Sequence, residues 1–262
     1  MSEEVATPYQ EQLDAAIKVL KGHIPDLLAI HLYGSAIDGG LKPSSDIDLL
    51  VTLNRSLEED TRKNLLRDLL TVSAPPKTNK NLRALEITAI AYEEVRPWRY
   101  PPKRELQFGE WLRNDLLKGI FDLPTLDHDL AILLTKVRQK SIALWGPEAA
   151  TMFDPVPQKD FFQAMNKTLT LWNIPEDWKG DERNVVLTLA RIWFSAATGE
   201  ITSKEKAATW VLQQLPPEHQ NIVKSAQADY LGKEKENLAS HEQELKAFIN
   251  FAKKSAKSLL EK

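Results

Sequence analysis

"LYGSAIDGGLKPSSDIDLLVTL", residues 32–53, decides how the first half of the chain is read. A short apolar run ends at Gly34-Ser35, ten residues intervene, and Asp46-Ile47-Asp48 opens a second apolar run. On a strand, residues two apart face the same side, so Asp46 and Asp48 project together while Ile47 and Leu49 face the opposite layer. Carboxylates held this close repel, and burying them costs several kcal/mol per charge unless a partner offsets it. A divalent cation is such a partner. Hard oxygen donors with no imidazole or thiolate nearby select magnesium, which keeps waters and adds substrate phosphate to its shell. The alternative for an isolated Asp-x-Asp is a turn cap facing solvent. Gly34-Ser35 weighs against it, because glycine lets the backbone approach a phosphate, and the amides and the Ser35 hydroxyl can bind its oxygens. Ser45 offers a second hydroxyl just before Asp46.

The flanking sequence sets this stretch in an α+β domain. The runs 27–33, 46–53 and 84–92 are short, rich in Ile, Leu and Val, and bounded by Gly, Pro or polar clusters, which predicts strands. Helical periodicity covers 9–24 and 61–73, and the alternation predicts a mixed sheet flanked by helices. In "ALEITAIAY", Glu86 shares a face with Thr88 and Ile90, so a third strand places a lone carboxylate among apolar residues. Burial would raise its pKa and suit it to act as a general base. The proline-rich, aromatic segment 95–111 reads as a structured loop, and 127–146 as a helix stopped by Gly146-Pro147. A boundary is expected near Pro157, dividing the chain into domains 1–157 and 158–262. The second is expected to be a helical bundle. Val186, Leu189, Ala190, Trp193 and Ala197 form one stripe ending at Gly199; Leu245, Phe248, Ile249, Ala252, Ala256 and Leu259 form another. A cleft between sheet and bundle is the expected ligand site.

Composition narrows the function. There are no cysteines, which excludes thiolate metal sites and a cysteine nucleophile. The five histidines are scattered without ligand spacing, and no GxxxxGK[ST] loop occurs. A net charge of −3 argues against a nucleic-acid partner. No apolar run is long enough to span a membrane, and the acidic N-terminus "MSEEVATPYQEQ" does not read as a secretory signal, so a cytoplasmic location is expected.

Gly-Ser, ten residues, Asp-x-Asp and a later strand glutamate together resemble the nucleotidyltransferase superfamily that includes DNA polymerase beta. The resemblance implies in-line attack of a hydroxyl on the α-phosphate of a nucleoside triphosphate. A closer resemblance, to the aminoglycoside adenylyltransferases that inactivate streptomycin and spectinomycin, runs from about Leu27 to Gly232. It is carried by "HLYGSAIDGGLKPSSDIDLLVT", "PWRYPPKRELQFGEWLR", "MFDPVP", "GDERNVVLTLARIW" and "TGEITSKEKAATW". By position it implies Asp46 and Asp48 as magnesium ligands, with two ions expected, and Glu86 as the base that deprotonates the drug hydroxyl. It implies Ser35, Ser45, Asp129, Arg191, Lys204 and Tyr230 as contacts to ATP, the co-substrate. Arg191 and Lys204 suit a triphosphate on charge alone, although an ordinary solvated helix face explains them equally.

Streptomycin is a dication with two guanidinium groups, and spectinomycin carries two secondary amines, so their site calls for carboxylates and flat aromatic surface. "LWNIPEDWKGDERN" supplies Trp172, Glu176, Asp177, Trp178, Asp181 and Glu182, and Trp111 is a further wall. Core packing for the tryptophans and helix capping for Asp181 are the alternatives. Family members that modify both drugs resemble this chain in the pair Trp172 and Asp177, which implies both substrates, with Asp181 serving each. Some members carry His where this chain has Asn184. A split nucleotide site implies that ATP binds first. The rival functions are modification of spectinomycin alone, a protein or tRNA acceptor, and a non-catalytic nucleotide-binding module. A monomer acting on small molecules is expected.

Overall fold

The computed structural model describes residues 9–234 and 237–261. The acidic residues 1–8, on which the secretory-signal reading rests, lie outside them. The chain divides into two compact units, Met1–Pro155 and Val156–Lys262.

The first unit contains strands β1 (Leu27–Tyr33), β2 (Ile47–Leu53), β3 (Leu85–Ala91), β4 (Lys103–Arg104), β5 (Leu106–Phe108), β6 (Thr125–Leu126) and β7 (Ile142–Trp145). Its helices are α1 (Gln10–His23), α2 (Glu59–Leu69), α3 (Arg113–Leu117), α4 (Leu130–Gln139) and α5 (Ala149–Met152). The main sheet runs β5-β3-β2-β1-β7; β2 and β3 are parallel, joined through α2, and the other neighbours are antiparallel. Strand parity explains its two faces. Ile30 and Leu32 of β1, Ile47, Leu49, Val51 and Leu53 of β2, and Leu85, Ile87 and Ala89 of β3 join a core with Leu13, Ala16 and Leu20 of α1 and Leu65, Leu66 and Leu69 of α2. The opposite parity puts Tyr33, Asp48 and Glu86 on the other face.

Two sequence expectations are corrected here. Segment 95–111 is not all loop. It carries β4 and β5, and β5 is an edge strand of the main sheet. It is held by the buried ion pair of Glu105 with Arg62, and Glu105 also accepts from the Leu57 amide at 3.0 Å. The helix expected over 127–146 stops at Gln139, and β7 follows as the opposite edge, paired with β1. Its short Ile-Ala-Leu-Trp run is too brief to show a period. Gly146 has φ +79°, and a Cβ there would lie 2.1 Å from the Leu28 carbonyl oxygen, so the turn closing this edge requires glycine.

The second unit is helical: α6 (Gln158–Thr168), α7 (Glu182–Thr198), α8 (Lys204–Leu212), α9 (Pro217–Leu231) and α10 (Glu242–Leu260). α7 packs against α8, α9 and α10. Val186, Leu189, Ala190 and Trp193 are buried as the period requires, but Ala196 rather than Ala197 completes the α7 stripe. On α10 the buried series closes at Leu260 instead of Leu259. In both cases the buried series shifts by one residue at the last turn. Gly199 ends α7 in the left-handed conformation, with φ 75°. Among the described residues no helix is long and apolar enough to cross a membrane.

Candidate active site

In the sheet unit the site is a row of side chains across three strands. Tyr33 is the register partner of Asp48, and Asp48 of Glu86, so the three occupy adjacent positions on one face. Asp46 lies one residue before β2 instead of inside it; Asp46, Asp48 and Glu86 are all half-buried. Glu86 is thus less buried than its apolar surroundings in the sequence predict. Gly34 closes the row from above. Its φ is +74°, and a Cβ on it would fall 1.8 Å from Asp48 Oδ2, so the glycine makes the space in which that carboxylate sits. Ser35 is half-buried in the short 3₁₀ turn Gly34–Ala36.

Ser45 Oγ accepts from the Lys42 amide at 3.1 Å, which leaves its hydroxyl hydrogen able to donate. The loop carrying it is clamped by Arg83, whose guanidinium donates to the carbonyls of Lys42 and Ser45, both at 3.0 Å. The donor set fits magnesium: carboxylate oxygens, half-buried, with glycine backbone against one of them. Among the described residues no three His, Asp or Glu side chains form a closed metal cluster.

Sequence reading missed Tyr33 and Gln107, and it gave Thr88 no partner. Burial first, then the charges of Asp48 and Glu86, push the Tyr33 phenol well above its ordinary range, against a hydrogen bond with Thr88. Tyr33 therefore stays protonated. Thr88 in turn donates to Gln107 Oε1 at 3.1 Å, which also accepts from Arg104 at 3.0 Å. The signal available was parity: Tyr33 lies at the end of its strand, directly before Gly34. Arg83 had no signal, because it binds carbonyls 38 and 41 residues away. Asp129 is exposed at the start of α4. Trp111 is 59 % exposed, and its indole occupies the space a side chain at residue 109 would need: a Cβ on Gly109 would fall 2.3 Å from the ring.

In the helical unit, two groups of predicted residues are brought together. Asp177 Oδ2 accepts from the amides of Asn173 and Ile174, at 2.7 and 3.1 Å, and these bonds hold its carboxyl below the usual range. Lys253 of α10 donates to the Trp172 carbonyl and to Asn173 Oδ1, clipping the same loop from the other side. Trp172 is half-buried there, whereas Trp178 is only 3 % exposed. Trp178 is core and offers no open aromatic surface, so for this tryptophan core packing is the outcome. In the second group Asp181 Oδ1 accepts from Asn184 Nδ2 at 2.6 Å, and Asn184 Oδ1 accepts from Lys204 at 3.3 Å. Lys204 also lies 5.6 Å from the centre of the Tyr230 ring. Asp181 occupies the N-cap position of α7 but binds the Asn184 side chain instead of a helix amide. Arg191 is half-buried on α7.

Comparison with known proteins follows both units. Residues 15–95 match the model described as polymerase beta, nucleotidyltransferase, and residues 151–255 the aminoglycoside adenylyltransferase C-terminal domain. An aminoglycoside (3'') (9) adenylyltransferase from Escherichia coli is 55% identical, covering 97% of each chain. A spectinomycin 9-adenylyltransferase from Staphylococcus aureus is 42% identical over 89% of each. The crystal structure of a spectinomycin adenyltransferase from Enterococcus faecialis, with ATP and spectinomycin, matches with a TM-score of 0.86 at 29% identity, covering 94% of this chain and 98% of that one.

Proposed function

The chain belongs to the aminoglycoside adenylyltransferase family, and from that premise we propose that it transfers AMP from MgATP to the 3″-hydroxyl of streptomycin and the 9-hydroxyl of spectinomycin, releasing pyrophosphate. It is an aminoglycoside O-nucleotidyltransferase, and its activity confers resistance to these drugs. The observation that carries the reading is the half-buried row of Asp48 and Glu86 in register beside Gly34, in a chain 55% identical to an enzyme named for both positions.

Glu86 accepts the proton of the drug hydroxyl as its oxygen attacks the α-phosphorus; the bond to pyrophosphate breaks, and the AMP remains on the drug. Asp46 and Asp48 would hold magnesium, two ions on this reading, which when bound would neutralise charge on the attacking and leaving oxygens. Ser35, Ser45, Asp129, Arg191, Lys204 and Tyr230 are assigned to ATP. Trp111, Trp172, Asp177 and Asp181 are assigned to the drug through stacking on the tryptophans and ionic hydrogen bonds from the carboxylates to drug cations. Residues 1–157 carry nucleotidyl transfer and 158–262 substrate selection. The enzyme acts as a cytoplasmic monomer on small molecules, without nucleic acid.

Mass spectrometry of streptomycin, spectinomycin and kanamycin after incubation with MgATP and the purified chain tests this reading. Streptomycin and spectinomycin should each gain one adenylyl group while kanamycin stays unchanged. Two unmodified drugs would overturn the function, and spectinomycin modified alone would overturn the dual specificity.

A further inference from the structure

The carboxylate row has a basic neighbour that none of the sequence motifs announces. Lys136 on α4 places its ammonium 5.1 Å from the centre of the Tyr33 ring, and Tyr33 is the register partner of Asp48, beside Glu86. Lys136 is half-buried. It follows Asp129 by seven residues, close to two helical turns, so both lie along one stripe. The buried residues of α4, Leu130, Ala131, Leu134 and Val137, occupy the adjoining stripe.

A triphosphate approaching Asp46, Asp48 and Glu86 meets negative charge of its own sign. Magnesium offsets part of this repulsion, and a cation on the protein offsets more. A lysine suits that task, being a compact point charge on a flexible stem that can follow a phosphate oxygen. The ring face of Tyr33 can hold such a cation next to the row.

We propose that Lys136 is a further nucleotide-binding residue, whose ammonium takes an oxygen of the ATP triphosphate. The proposal rests on the reading of the chain as an adenylyltransferase.

Calorimetry of ATP and AMP binding to the full chain, with and without magnesium, tests it on wild type, Lys136→Gln and Lys136→Arg. Lys136→Gln should lose about ten- to a hundredfold in ATP affinity, the range of a charge-assisted hydrogen bond. Its AMP affinity should change less than about twofold, and Lys136→Arg should retain most of the ATP affinity. Equal ATP affinity in wild type and Lys136→Gln, or equal losses for ATP and AMP, would overturn the assignment. A second measurement needs no variant: MgATP, and not AMP, should slow acetylation of Lys136 in the wild-type chain, read by peptide mass spectrometry. Unchanged labelling would also overturn it. A wild-type chain that binds ATP but adenylylates neither drug would defeat the parent reading alone, because the binding comparison is read without transfer.

Discussion

The two units hold their predicted residues by different means. In the sheet unit, Asp48 and Glu86 are fixed by strand register, and the backbone of Gly34 closes against Asp48. In the helical unit, Trp172 and Asp177 flank a short segment that ends in the 3₁₀ turn Pro175–Asp177, closed by side-chain bonds to its own backbone and clipped by Lys253. Register cannot slip by one residue without turning every side chain over, so the first arrangement is rigid and unforgiving. A stapled loop tolerates substitution wherever the staples survive. The proposed function would put reaction chemistry in the rigid part and substrate choice in the adaptable one, a division that suits a family whose members differ in the drugs they are named for.

The sharpest way to break that contrast is Gly34→Ala. The methyl group would meet Asp48 Oδ2 at 1.8 Å, and the φ of +74° is itself costly for alanine, by roughly 1–2 kcal/mol. Asp48 must move, and a displacement of that size costs on the order of a hundredfold in kcat. Both drugs should lose rate equally in steady-state assays, with Tm shifted only modestly. Near-wild-type kcat would show that the row is less rigid than its register implies.

A smaller and selective effect is expected at Asp177, where two roles can be separated. Asparagine keeps an oxygen that accepts from the Asn173 and Ile174 amides but removes the charge; alanine removes both. If Asp177 binds a drug cation, Asp177→Asn should lower kcat/KM for streptomycin by about ten- to a hundredfold and leave spectinomycin close to wild type. Asp177→Ala should add loop loosening, seen as faster amide exchange at Asn173 and Ile174. Loss in the alanine variant alone would mean that the carboxylate serves only the loop, and the contrast between the units would then be one of architecture and not of substrate choice.

The same difference explains what could be read in advance. Strand parity placed Asp48 and Glu86 on one face in advance, because regular structure makes residue spacing a statement about faces; Asp46, expected inside the strand, lies just before it. The edge strands β5 and β7 escaped, since three or four residues show no period and their partners are distant in the chain. Arg83 and Lys253 escaped for a related reason: each binds backbone carbonyls, and a carbonyl leaves no trace in side-chain pattern. Trp172 and Trp178 lie in the same acidic, polar stretch, yet Trp172 is half-buried and Trp178 is core, a difference that the local sequence does not show. Asp181 and Asn184 could be listed from resemblance, but their mutual bond depends on a side-chain rotamer.

The smallest expected effect is on stability, and it sharpens the contrast by reaching one unit only. His31, fully buried on β1, has Nε2 2.9 Å from the Pro147 carbonyl. A carbonyl only accepts, so Nε2 carries the hydrogen and Nδ1 is bare, with no hydrogen-bond partner. Burial lowers the His31 pKa below 6.5, outweighing the Pro147 bond and the Glu148 charge, which raise it. As pH falls through 6.5 the unfolded chain therefore binds a proton before the folded one. Stability is full above that pH and declines below it, until His31 charges in the folded state as well. Amide exchange at pH 5.5 against pH 7.5, corrected for intrinsic rates, should show lost protection in β1 and β2 and little change in α7 and α10. His31→Gln, whose amide can still donate to Pro147, should remove that difference. Equal loss in both units would mean that they unfold as one cooperative body, and the rigidity of the carboxylate row could no longer be credited to the sheet alone.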